Sequence, residues 1–216
     1  SERLLVITAV EEERDAVLRG AANADAARKL DVRAAGVGPA AAAACTARAL
    51  ATGTYRCVIS AGIGGAFPTK AELGTVVIAT EIVACDLGVE TGDGFQSVQE
   101  LGFGDDRVFV SSELSVRLAA ALRKGGLAVT TGPIITVSTA TGTATTAQTR
   151  AARVPGVVGE GMEGFGVATA AQAFGIPVVE IRGISNFVGP RDREAWRIPA
   201  ALKALETTSP ILQEVL

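Results

Sequence analysis

The chain predicts an α/β fold, a three-layer α/β/α sandwich around a mixed, mostly parallel central sheet. Two observations carry the prediction. Short β-branched runs alternate with alanine-rich helical stretches along the sequence, and no linker-like composition interrupts its 216 residues. Residues 1–216 therefore read as a single domain, long enough to bury one sizeable core.

"LLVITAV" (Leu4–Val10) is an apolar run of strand length, and "EEERDAVLRG" (Glu11–Gly20) reads as the helix after it, with acidic residues in the first turn and Gly20 as its stop. "DVRAAGV" (Asp31–Val37) is a second strand, followed by the alanine-rich helix Pro39–Gly53 with proline at its start. "CVIS" (Cys57–Ser60) and "GTVVIATEIVAC" (Gly74–Cys85) are strands. Residues Gly88–Asp106 are glycine-rich and aperiodic, and so read as a long surface or site-covering loop. Ser112–Gly126 is a helix, and Leu127–Ser138 is a strand leading into a threonine-rich helix start. "VVGEGM" (Val157–Met162) leads into the helix Glu163–Gly175, closed by Gly175, and "VVEIRGIS" (Val178–Ser185) is the last clear strand.

Composition excludes several function classes. The chain is 48% hydrophobic and 20% charged with a formal net charge of -3, and no basic cluster offers a footprint for nucleic acid or an anionic membrane. A small-molecule partner is favoured. No stretch reaches the roughly 18 uninterrupted apolar residues of a membrane span, and Ser1 opens almost directly into "RLLVITAV" without a basic region and cleavage site. The expectation is a cytoplasmic protein. Cys45, Cys57 and Cys85 stand singly in apolar segments and are expected to be buried and reduced. The chain has no histidine. Acid and base work near neutral pH must then fall to carboxylates, water or backbone, and no metal or cofactor is expected.

Two glycine-rich motifs are weak leads. "GVGPAA" (Gly36–Ala41) fits the dinucleotide fingerprint locally but follows the second strand, and no acidic residue ends the next one, so tight helix packing explains its glycines better. "AGIGGA" (Ala61–Ala66) is too short for a phosphate loop and lacks its Gly-Lys-Ser/Thr. The carboxylates say more. Glu11, Glu12 and Glu13 stand where the first strand meets its helix, at the strand end where open α/β sheets bind ligands. Favourable interaction with the helix dipole explains them equally well. Glu163 stands at a second strand-to-helix junction, either solvated or held for a ligand, and Asn186 ends a third apolar run. If the strands are neighbours, the three converge on one crevice.

"TAVEEER" (Thr8–Arg14), "SAGIGGAF" (Ser60–Phe67), "GMEGFGVATAA" (Gly161–Ala171) and "IRGISN" (Ile181–Asn186) together resemble the nucleoside phosphorylase and nucleosidase superfamily, in its hydrolytic branch. Within that branch, "EGMEGFGVA" followed by "IRGISNFVGPRDREAWRIPAAL" is most similar to the futalosine hydrolase family. The resemblance implies a nucleoside phosphorylase-like fold, a homo-oligomer of two or four chains, and removal of hypoxanthine from futalosine on a route to menaquinone.

By the same resemblance, Glu163 accepts hydrogen bonds from the ribose 2′ and 3′ hydroxyls while Met162 packs on the sugar. Glu13 orients and deprotonates the attacking water, with Glu12 as its alternative if the register slips. A carboxylate suits both tasks, because it accepts hydrogen bonds from hydroxyls and stabilises the positive charge that glycosidic cleavage builds on the sugar. Asn186 replaces an aspartate of adenine-specific relatives. Its amide can donate to the N7 and O6 acceptors of hypoxanthine, although it can also pair with adenine. It cannot protonate the leaving base, which leaves Asp192 or water as the acid, or departure of the base as an anion. Gly62, Ile63 and Gly64 are implied to line the ribose and water site with backbone, and Thr141, in Thr136–Thr143, to wall the base pocket. Phe165 and Phe187 border that pocket or pack the core. Arg191 and Arg193 are candidates for the substrate's carboxylate tail, or are solvated. Two other readings remain: a different purine nucleosidase or phosphorylase, and a nucleoside-binding module without catalysis.

Overall fold

The computed structural model describes residues 3–21 and 29–216. Among these described residues, ten strands and six α-helices follow in the order β1 (Arg3–Thr8), α1 (Glu11–Gly20), β2 (Leu30–Ala34), α2 (Pro39–Thr52), β3 (Tyr55–Ala66), β4 (Val76–Ala84), β5 (Gly88–Thr91), β6 (Gly94–Ser97), β7 (Arg107–Phe109), α3 (Ser112–Lys124), β8 (Val129–Thr136), α4 (Ala144–Arg153), β9 (Gly159–Gly161), α5 (Gly164–Ala173), β10 (Val178–Phe187) and α6 (Ile198–Val215). The expected α/β/α arrangement is present. Helices α1, α3 and α6 pack together on one side of the sheet, and α2 and α5 on the other.

The sheet is mixed, as its sequence predicts. β2, β1, β3 and β10 run parallel in that order, β4 joins β10 antiparallel, and β8 and β9 follow parallel. β9 then returns to β3 antiparallel, so β3, β10, β4, β8 and β9 close into a ring. Closure explains why β3 is long: twelve residues, ending in the glycine-rich Gly62–Ala66, must meet β1 early and β9 late. The apolar runs are buried because both sheet faces are covered, and Leu4, Val58, Ile78, Ile134 and Val179 are all inaccessible.

Several expectations need correction. Residues 88–106 are not a plain loop, since β5 and β6 pair there as an antiparallel hairpin separate from the main sheet. Its strand residues are mostly exposed, so burial leaves no alternating pattern for the sequence to display. Helix α6, which covers β3 and β10, was not among the expected elements. Gly38 is not explained by tight packing. A Cβ there would meet nothing within 4 Å, but its φ of +97° disfavours any residue with a side chain. All three cysteines are buried and unpaired, and burial pushes the Cys57 thiol up to about 12 and the Cys85 thiol up to about 11. Among the described residues, no helix is long and apolar enough to cross a membrane.

Helices α2 and α5 meet where Gly166 faces the backbone of Pro39, so closely that a Cβ would lie 2.0 Å from the Pro39 carbonyl oxygen. Gly166→Ala should therefore force the two helix starts apart. We expect a loss of about 1–3 kcal/mol, as for other overpacked cores, read as a lower urea midpoint at unchanged m-value.

Candidate active site

The cleft forms where the carboxyl end of β1, the late half of β3, the β9–α5 junction and the end of β10 converge. Its volume is about 270 Å³, and its walls include Glu13, Ile63, Gly64, Thr141, Glu160, Met162, Glu163, Asn186, Phe187, Arg191 and Trp196. The three strand-end groups singled out in the sequence, Glu13, Glu163 and Asn186, thus share one crevice.

Glu13 occupies the third position of α1, and its side chain turns back onto the helix start. Oε2 accepts from the Ala9 N–H at 2.9 Å and the Val10 N–H at 3.3 Å, and Oε1 accepts from the Ile63 N–H at 2.8 Å. The first two bonds satisfy donors at the helix entry. The third ties α1 to β3 and turns the carboxylate toward the cleft. Glu13 is only 3% exposed. Burial raises its pKa above the ordinary glutamate value, opposed by the charge of Arg182 and by the backbone donors, while the charge of Glu163 adds to the rise.

Glu163 stands at the N-cap of α5 and is also buried. Its Oε1 accepts from the Gly38 N–H at 3.2 Å and its Oε2 from Arg182 Nη1 at 3.0 Å. The positive φ of Gly38 thereby has a purpose at the site: it aims the first amide of the α2 entry at this carboxylate.

Behind both carboxylates lies Arg182, which the sequence reading did not single out. It is 1% exposed. Its Nε donates to Glu180 Oε1 at 2.9 Å, its Nη2 to Ser60 Oγ at 3.2 Å, and its Nη1 to Glu163 and, at 3.4 Å, to the Ile63 carbonyl. A Cβ on Gly62 would lie 2.6 Å from Nη1 and 2.8 Å from Glu13 Oε1, so the missing side chain is what lets guanidinium and carboxylate flank the strand. Glu180 is fully buried, and its Oε2 has no hydrogen-bond partner among the described residues. Burial raises its pKa as well, against the pull of Arg182.

Asn186 lines the cleft from the end of β10. Its Nδ2 donates to the Phe187 carbonyl at 3.1 Å, and its Oδ1 lies 2.9 Å from the Ser185 hydroxyl. A carbonyl can only accept, which fixes the amide orientation. One N–H remains free for a ligand.

Other expected residues divide. Met162, Ile63, Gly64, Thr141, Phe187 and Arg191 line the cleft, and Arg191 stacks over Trp196 with its guanidinium 5.1 Å from the ring centre. Gly62 lies behind it, against Arg182. Phe165 does not reach it: the side chain packs against the main core, and its N–H donates to Thr136 Oγ1 at 2.8 Å. Asp192 is exposed and outside the lining, at the position just before the short 3-10 turn Arg193–Ala195. Arg193 is likewise outside the lining, with its guanidinium 5.8 Å from the centre of the Trp196 ring. Arg182, Glu180, Glu160, Ser185 and Trp196 are the site residues that the sequence reading passed over.

Fold and site together define a member of the Phosphorylase superfamily, which the chain matches over residues 26–214. Two curated relatives are futalosine hydrolases. That of Streptomyces coelicolor is 47% identical, over 99% of this chain and 96% of its own, and that of Acidothermus cellulolyticus is 43% identical, over 95% and 88%. The chain belongs to the futalosine hydrolase family. Among solved structures, the 5′-methylthioadenosine/S-adenosylhomocysteine nucleosidase of Neisseria meningitidis shares the fold at a TM-score of 0.83, with 21% identity over 99% of this chain and all of that one. The futalosine hydrolase of Helicobacter pylori does so at 0.81, with 17% identity over 99% and 97%.

Replacing Arg182 tests the buried charge cluster. Arg182→Met leaves three carboxylates without their cation and should cost about 3–5 kcal/mol at neutral pH. Arg182 lowers the pKa of both Glu13 and Glu180, so in its absence both rise further, and the folded state retains protons that the unfolded state releases. The stability difference from wild type should accordingly be smallest in acid and widen as pH rises to neutrality, measured as thermal midpoints across that range.

Proposed function

We propose that this chain hydrolyses the N-glycosidic bond of futalosine, releasing hypoxanthine and dehypoxanthinyl futalosine, as part of menaquinone formation. The observation that carries this reading is the convergence of Glu13, Glu163 and the Asn186 amide on one cleft. Family membership and the curated relatives support the substrate.

Each oxygen of a carboxylate accepts about two hydrogen bonds. Both oxygens of Glu163 spend one on the protein, and each keeps one for a sugar hydroxyl. Glu13 Oε2 is occupied by two backbone donors, whereas Oε1 accepts one and keeps a site open. That open site is where a water would be oriented. As the glycosidic bond lengthens, positive charge grows on the sugar ring and is stabilised by the two carboxylates. Glu13 then takes the water's proton as the new C–O bond forms. On the other side, the free N–H of Asn186 stabilises charge on the departing base. Asp192, outside the lining, does not supply a proton, so water does, or the base leaves as an anion. Arg191 beside Trp196 suits a carboxylate on the substrate tail. The reading also takes residues 1–216 as one catalytic domain, in the cytoplasm, working as a homo-oligomer of two or four chains.

Chromatography of the free base after incubation with futalosine, methylthioadenosine or inosine, each with and without phosphate, is the direct test. Hypoxanthine from futalosine, independent of phosphate, is expected. Adenine from methylthioadenosine, or a requirement for phosphate, would overturn the assignment. Glu13→Gln should lower kcat by about 10²–10⁴-fold, the usual worth of a general base, while ligand affinity largely survives. Since Glu13 must be ionised to accept a proton and its pKa is raised by burial, kcat/KM should rise with pH through an apparent pKa above the ordinary 4.5.

A further inference from the structure

The cleft holds three carboxylates, Glu13, Glu160 and Glu163, and the proposed chemistry uses two. Glu160 lies in β9, where it pairs with Gly65 of β3, and Asn186 of β10 pairs with the same Gly65 from the other side. Residues paired across strands share a sheet face. Because Gly65 has no side chain, nothing from β3 stands between the carboxylate and the amide that flank it. A Cβ on Gly65 would lie 3.2 Å from Asn186 Nδ2 and 2.9 Å from the Val188 side chain, so any other residue would push against the amide. Strand spacing puts the two flanking strands about 10 Å apart, a width that a purine ring with a hydrogen bond at each side fills.

Glu160 is held from behind. The Thr141 N–H donates to its Oε1 at 2.8 Å, and the Thr141 hydroxyl and Arg150 Nη1 donate to its Oε2 at 2.5 and 3.1 Å. Arg150 Nη1 also reaches the Thr141 hydroxyl oxygen at 2.5 Å. All three residues are buried. Oε2 is fully occupied, and the Thr141 hydroxyl has spent its proton on Glu160. Oε1 keeps one acceptor site, both donors of Thr141 are spent on Glu160, and Arg150 lies outside the cleft lining.

We propose that Glu160 is the specificity-determining residue of the base site, its Oε1 accepting the N1–H of a 6-oxopurine while Asn186 donates to the O6 and N7 edge. The proposal rests on the nucleosidase reading. Asn186 alone can serve hypoxanthine or adenine, because an amide both donates and accepts. Glu160 cannot. Hypoxanthine carries a proton at N1, whereas adenine presents a lone pair there, which a fixed, acceptor-only group repels.

The test measures dissociation constants of free hypoxanthine and adenine for the wild type and for the double variant Glu160→Met/Arg150→Met, which replaces a buried ion pair by apolar side chains of similar length and is often neutral for stability. Wild type should prefer hypoxanthine, and the double variant should lose about tenfold or more of that preference, chiefly through weaker hypoxanthine binding. Equal binding of the two bases by wild type, or an unchanged preference in the variant, overturns the assignment. Should the variant fail to fold, ¹⁵N-labelled hypoxanthine bound to wild type decides. A slowly exchanging, downfield N1 proton supports the contact, and an N1 proton that exchanges as fast as in free hypoxanthine overturns it. Base release from futalosine by wild type is followed separately. Discrimination between bases without futalosine cleavage sinks the hydrolase reading alone, and futalosine cleavage without discrimination sinks the role of Glu160 alone.

Discussion

A guanidinium withheld from water among three carboxylates is the constraint on which the rest of this structure depends. An unpaired buried charge is among the costliest features a fold can carry, and Arg182 is tolerated because Nε, Nη1 and Nη2 each have a partner, Glu180, Glu163 and Ser60 respectively. Each partner then imposes its own requirement. Glu163 must stand at the start of α5, where Gly38 adopts a left-handed conformation to bond its second oxygen. The guanidinium also needs room, and a Cβ on Gly161 would lie 2.8 Å from its central carbon just as one on Gly62 would crowd Nη1. What looks in the sequence like a glycine-rich loop is a strand thinned to admit an arginine.

The same strand divides the site. On β3, Ser60, Gly62 and Gly64 pair with Glu180, Arg182 and Ile184 of β10. Without interruption, the next pair on that face would bring in Asn186. Instead the register shifts between Ile184 and Asn186, leaving Ser185 unpaired and setting Asn186 against Gly65. A register change of one residue moves a side chain to the opposite face. Asn186 is thereby separated from the charged layer around Arg182 and joins Glu160. Ring closure through β9 supplies Glu160 to that face, so the bulge and the closure together put a polar strip on the face that β3 and β10 otherwise line with apolar pairs such as Ile59 with Val179 and Ala61 with Ile181.

Much of this was legible in the sequence because its signals are local. The alternation of strand and helix gave the layers, and Glu13, Glu163 and Asn186 betrayed themselves as polar residues at the ends of apolar runs. The losses have physical causes too. Arg182 and Glu180 were absorbed into a strand read as core, yet opposite charges two residues apart in an apolar strand share a face. Had both sheet faces been taken as covered, that spacing alone would have demanded a buried pair. Glu160 sits in "VVGEGM" in the same situation as Glu163, a carboxylate after an apolar run, and no local pattern links it to Arg150 or Thr141. The hairpin at 88–97 hides for the opposite reason, since strands that bury little display no period. Phe165 and Asp192 went astray because composition shows neither the helix phase that packs Phe165 on the core nor the short turn before which Asp192 stands exposed.

The absence of histidine makes the balance at Glu13 the central chemical question. A carboxylate in water is a weak base at neutral pH, and burial strengthens it by raising its pKa. Burial and the charge of Glu163 both push in that direction, and the further they push, the smaller the ionised fraction that can accept a proton. Arg182 opposes that drift by its charge, while its hydrogen bonds go to Glu163, Glu180, Ser60 and the Ile63 carbonyl. The backbone donors of Ala9 and Ile63 act in the same direction. Glu180, deeper still, then has a role distinct from the other two carboxylates. Through Nε it fixes the guanidinium plane without touching the cleft, so that one cation can hold Glu163 by a direct bond and Glu13 by its field alone. Moving Arg182 toward either glutamate would strengthen one contact and release the other. The glycines that crowd around it set that position.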